Sequence, residues 1–155
     1  MLQPNVQALL AIYKTEIQNL IQLIEPLSAD ELSKIRDNET LDEDCKSIKT
    51  IVEHLIFSGY CYTNYYQVNV GDVLPRPEKQ NYGDSSANLA NELEVMYQHC
   101  EAFFIEHPDI SITELDNANK IKTRWGQVYD IDQLFEHSIV HILRHHRQIS
   151  NFLKQ

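Results

Sequence analysis

Phe135-Glu136-His137-Ser138-Ile139-Val140-His141-Ile142-Leu143-Arg144-His145-His146-Arg147-Gln148-Ile149 is the stretch that decides how this 155-residue chain is read, because four of its seven histidines crowd there. Asp130 or Asp132 opens the predicted helix that contains it, which runs to about Leu153. His137, His141 and His145 recur at every fourth position, so they share one helical face with neighbouring Cβ atoms ~5–6 Å apart. Two imidazoles at that spacing can reach one cation at ~2.0–2.1 Å, although the same spacing also occurs in solvated or helix-capping pairs. Such a pair supplies only two ligands. A third must come from another element.

Working outward, three further long helices are expected. Between Asn5 and Glu25, Val6, Leu9, Leu10, Tyr13, Ile17, Leu20, Ile21 and Ile24 fall at three- and four-residue steps, the pattern of an amphipathic helix, and Pro26 ends it. Ser28-Ala29-Asp30-Glu31 has the form of a capping box and predicts a short helix to about Ile35, followed by an acidic solvated loop from Asp37 to Asp44. Ser47 to Val70 reads as the second long helix, with Ile48, Ile51, Val52, Leu55, Tyr62, Tyr65 and Tyr66 as its stripe and Gly59 as a tolerated weak point. Tyr60 to Val70 has strand propensity, but its unbroken helical phase with the preceding residues favours helix. Gly71 to Asp84, with Pro75-Arg76-Pro77, is a loop. Ser85 or Ser86 caps the third long helix, which turns Leu89, Leu93, Met96, Tyr97, Cys100, Phe103 and Phe104 inward and closes at His107-Pro108. Ile110 to Tyr129 is irregular and holds Trp125 beside Gly126, either covering one end of the core or forming a short hairpin. Four helices of about 20 residues, each ~30 Å long, predict an all-α fold: a four-helix bundle with long crossing loops in a single domain spanning residues 1–155.

Composition narrows the function classes. Against 23 Asp+Glu stand only 13 Lys+Arg, a net charge of −10. Nucleic acids and anionic membranes both require a basic face, so neither is an expected partner. No apolar run reaches the ~18 residues of a membrane span, and no basic, then apolar leader opens the chain, which predicts a soluble cytoplasmic protein. Cys45, Cys61 and Cys100 are odd in number and widely spaced, consistent with reduced thiols.

His54, within Val52-Glu53-His54-Leu55-Ile56, is the natural third ligand, because bundle cores build metal sites from facing helices and a lone imidazole there needs a partner. Read singly, it is equally a satisfied core histidine. His99, His107 and His146 carry no partner signal and are expected at the surface. Cys61 follows His54 by two turns on the same face and is either a thiol near the site or an inert buried cysteine. The cluster Tyr60, Tyr62, Tyr65 and Tyr66 reads as packing.

Taken together, Ile51-Val52-Glu53-His54-Leu55-Ile56-Phe57-Ser58 and His141-x-x-x-His145-His146-Arg147-Gln148-Ile149 resemble the DinB/YfiT-like family of metal-dependent enzymes. Members are four-helix bundles in which a histidine of the second helix and an H-x-x-x-H pair of the fourth bind a divalent metal. Many carry H-x-x-x-H-R-G-Q-I at the pair; this chain has His146 where Arg is common and Arg147 where Gly is. The resemblance implies His54, His141 and His145 as metal ligands, with a His137–His141 register as the second choice. It implies a divalent ion, zinc or nickel first and iron or manganese next. It also implies a homodimer and a small-molecule substrate, with a low-molecular-weight thiol as cosubstrate.

The resemblance puts thiol S-transfer first among the reactions, with the metal stabilising the thiolate, which is the attacking species. A metal-dependent hydrolase and a non-catalytic, metal-stabilised stress-response bundle are the alternatives. Glu53 and Glu136 are candidates to orient a ligand or act as base, or are plain solvated carboxylates. Tyr62 is a candidate substrate donor, and His137 a reserve ligand-orienting or proton-accepting group. The whole reading requires the ring at position 54 to lie within about 8 Å of the other two.

Overall fold

A computed structural model describes residues 1–155, and its architecture is all-α apart from one small hairpin. Helix α1 spans Pro4–Ile24, α2 Ala29–Ser33, α3 Ile48–Asn69, α4 Ser86–Glu106 and α5 Ile131–Phe152; strands β1 (Ile121–Lys122) and β2 (Val128–Tyr129) precede α5. Helix α1 packs against α4 and α5, and α3 packs against the same two. That arrangement makes α3 and α5 neighbours along their length, which is what lets a residue of one meet residues of the other.

Each start is fixed by local chemistry. Pro4 opens α1, where its missing N–H costs nothing. Ser28 and Glu31 form the expected capping box at α2, which stops at Ser33, short of Ile35. Ser47 caps α3 by accepting from the Thr50 amide, Ser85 caps α4 from Asn88, and Asp130 forms a capping box with Gln133 at α5. Helix α4 ends where expected, at Glu106, with His107 leaving helical geometry ahead of Pro108. The acidic loop is less irregular than its composition suggests: Glu43–Cys45 make a 3₁₀ turn capped by Asp42.

The periodic residues are the core. Val6, Leu10, Tyr13, Ile17, Leu20 and Ile24 of α1 are buried, while Leu9 and Ile21 of the same stripe are half-buried. All seven residues expected inward on α4 are buried. Phe104 and Phe135 stack at 5.4 Å, with Tyr66 against both and against Phe103. Gly59 is more than a tolerated interruption: a Cβ there would collide with the Met96 thioether, so the glycine sets the closest approach of α3 to α4.

Of the two readings of Ile110 to Tyr129, the hairpin is the one found. Ile121 pairs with Tyr129 and Lys122 with Val128, and Gly126 takes the positive φ of 90° that the turn needs. The Arg124 amide donates to the Tyr65 hydroxyl at 2.9 Å, which docks the hairpin tip on α3. No helix is long and apolar enough to cross a membrane.

Candidate metal centre

The α3–α5 contact brings His54, His141 and His145 together, with one ring nitrogen of each inside a group whose members all lie within 4.8 Å of one another. His141 Nε2 stands 3.0 Å from His54 Nε2 and 3.1 Å from His145 Nε2. Nitrogens that share one ion at ~2.0–2.1 Å stand about 3–4 Å apart, so this spacing suits common coordination. The requirement set by sequence, about 8 Å, is met with room to spare.

Each outer nitrogen also has a neighbour. His145 Nδ1 lies 2.8 Å from Gln148 Oε1, His141 Nδ1 lies 3.2 Å from the Tyr62 hydroxyl, and His54 Nδ1 lies 3.3 Å from Asp44 Oδ2. A carbonyl oxygen and a carboxylate can only accept, which places the protons of His145 and His54 on Nδ1 and leaves their Nε2 atoms as lone pairs. A single proton, carried on His141 Nε2, is all that the inner trio can share. A divalent cation satisfies all three. The Tyr62 hydroxyl donates or accepts, so it follows His141 through either tautomer. Outer partners of this kind are what orient metal-binding imidazoles.

The electrostatics keep His141 and His145 neutral. Burial, reinforced by His54 and His145, pushes His141 down to about 3. Burial also lowers His145, against the opposing pull of Gln148. Neutral imidazole is the form that binds metal.

His54 and His141 open onto a cleft of about 400 Å³, while buried His145 lies behind them. Phe57, Tyr62, Tyr65 and Trp125 supply its aromatic wall. A larger groove of about 740 Å³ runs along Val140, Leu143, Arg147 and Phe152, but none of the three histidines lines it. The histidine trio therefore belongs to the smaller cleft.

The other candidates separate cleanly. His137 lies outside the trio; it stacks on Trp125 at 5.3 Å and lines the cleft, its pKa lowered by burial and by Arg144. Cys61 is buried and also lines the cleft, and burial raises its pKa, which favours the thiol. Glu53 stands by Lys49 at 3.8 Å, Glu136 is exposed, and neither lines the cleft. His99, His107 and His146 are half-buried rather than at the open surface: His99 packs on Tyr60 and His107 on Phe103. Tyr62, read as packing or as a substrate donor, instead contacts a candidate ligand.

Asp44 and Gln148 are the residues that sequence reasoning missed as partners. Asp44 sits in the acidic loop, where a carboxylate looks solvated; only the fold brings it to His54. Gln148 did carry a signal, since it lies three residues after His145 and so on its face. Searches against family models, curated proteins and solved structures return no match for the chain.

Proposed function

We propose that this chain is a metal-dependent enzyme of the DinB/YfiT-like kind: a four-helix bundle in which His54, His141 and His145 hold one divalent ion, and which transfers a low-molecular-weight thiol to an electrophilic small molecule. Four long helices, each packed on two others, and the order of the three histidines along α3 and α5 support the family reading. The observation that carries the enzymatic reading is the convergence of three ring nitrogens at the wall of an open cleft. A site sealed by packed side chains would suit a purely structural ion instead.

Zinc or nickel leads among metals for an all-imidazole set, with iron or manganese next. When bound with coordination positions left over, such an ion supplies Lewis acidity that favours the ionised form of a thiol. The remaining work falls to the chain. Asp44, Tyr62 and Gln148 hold the three rings in register. His137, kept neutral in the cleft wall, takes the proton that the thiol gives up. The sulfur then forms its bond to the electrophilic carbon as the leaving group departs with its electron pair, and His137 returns the proton to it. Trp125 and Tyr62 supply aromatic surface beside that exchange.

Protein purified without a histidine tag and loaded with zinc is assayed with chlorodinitrobenzene and a panel of small thiols, beside ester and amide panels. Metal-dependent thiol consumption that is lost in His54→Ala supports the proposal. Activity that needs only water would instead establish the hydrolase, and inactivity on every panel would leave a metal-binding bundle.

A further inference from the structure

Two of the chain's five arginines, Arg76 and Arg144, line the same cleft as His54 and His141. In a protein with 23 acidic residues, arginines ordinarily find carboxylates, yet every ion pair here is made by a lysine or by His54. Both guanidinium groups are exposed and unpaired. Asp44, the one acid lining the cleft, is already engaged by His54 and Lys79. Arg76 is held over the Phe57 ring, 5.7 Å from its centroid, and Arg144 follows His141 by three residues on α5. The same cleft carries aromatic surface: Tyr62 and Tyr65 meet Trp125 edge-on, at 6.4 and 6.3 Å.

A cleft of about 400 Å³ with two uncommitted guanidiniums and an aromatic wall has the make-up of a small-molecule site with a built-in charge preference. We infer that it takes a small organic carboxylate with an apolar or aromatic body: Arg76 and Arg144 receive the carboxylate, the body lies against Trp125 and Tyr65, and the other end points to the histidines. The inference builds on the proposed site and names the substrate class. In the thiol-transfer reading, this is the acid-bearing end of one of the two reactants.

Trp125 is the only tryptophan and stands in the cleft wall, so its fluorescence reports occupancy directly. The probes are 3-phenylpropanoate and its neutral analogue 3-phenylpropanamide, titrated into metal-free and zinc-loaded protein. The acid is expected to bind about tenfold or more tightly than the amide in both forms, a preference that added salt weakens. Arg76→Gln with Arg144→Gln should abolish the preference, bringing acid binding down to the level of the amide; both side chains are exposed, so the fold tolerates the change. Equal binding of acid and amide, no binding of the acid, or a preference that survives the double substitution would each overturn the inference. Because the metal-free protein is one arm, loss of the metal reading alone leaves the acid preference standing there.

Discussion

Gln148 Oε1 lies 2.8 Å from His145 Nδ1, one helical turn earlier on α5. In the proposed metal centre, that contact sets which nitrogen of His145 would face the ion. Gln148→Ala should weaken zinc affinity by about 10–100-fold, the usual effect of removing an outer partner. The melting temperature of the metal-free protein should hardly move, because the side chain is only half-buried. Competition with a chromogenic chelator measures the affinity; an unchanged value would remove Gln148 from the site.

Asp44 works through charge as well as orientation. It faces both His54 Nδ1 and Lys79, tying the 3₁₀ turn and the 71–84 loop to the site. Asp44→Asn should lower zinc affinity. Lys79→Ala, in contrast, should leave affinity within about twofold, because an exposed lysine pair contributes little. If the two substitutions acted alike, the Asp44–His54 contact would not be the relevant one.

Proton linkage gives the metal-free protein a signature. His141 is held at about 3 when folded and returns to about 6.5 when unfolded. Between those values the unfolded chain binds a proton that the folded chain refuses, so stability is full above about pH 6.5 and falls as pH drops towards 3. His145 is lowered too and adds in the same direction. Urea denaturation of chelator-treated protein from pH 7 to pH 4.5 should show this slope, and His141→Gln should flatten it. Parallel slopes would mean that His141 protonates freely in the folded state.

Gly59 gives a test of the packing that brings α3 into place. Gly59→Ala gains about 0.8–1 kcal/mol of helix propensity but crowds Met96, and overpacking costs typically ~1–3 kcal/mol. A net loss of up to about 2 kcal/mol is expected in the parent. With Met96→Ala in the same chain, the alanine at position 59 should stabilise. Chemical denaturation of the four proteins decides it, and the same sign in both backgrounds would contradict the contact.

The long helices were legible because each buries one stripe. The seven residues of the α4 stripe, beginning at Leu89 and ending at Phe104, could be assigned inward from spacing alone, and all seven are buried. The histidine row of α5 was legible by the same arithmetic, but spacing left His137–His141 and His141–His145 equivalent, and the resemblance chose between them; His54 stood out by its apolar surroundings, although nothing in its own helix says what it faces. Asp44 and Tyr62 were harder. Their roles exist only across the α3–α5 seam or between a loop and α3, and tertiary neighbours leave no period in a sequence. The hairpin that carries Trp125 lay at the edge of legibility: strands of two residues have no alternation to read, and only Gly126 marked the turn.

Metal stoichiometry in untagged protein bears most directly on the site. Elemental analysis after zinc loading and desalting should find about one ion per chain in the parent and substoichiometric zinc in His54→Ala and in His141→Ala, while Glu53→Ala, outside the cleft, should retain the parental value. Parental zinc content in the two histidine variants, or no bound zinc in the parent, would contradict the three-histidine centre.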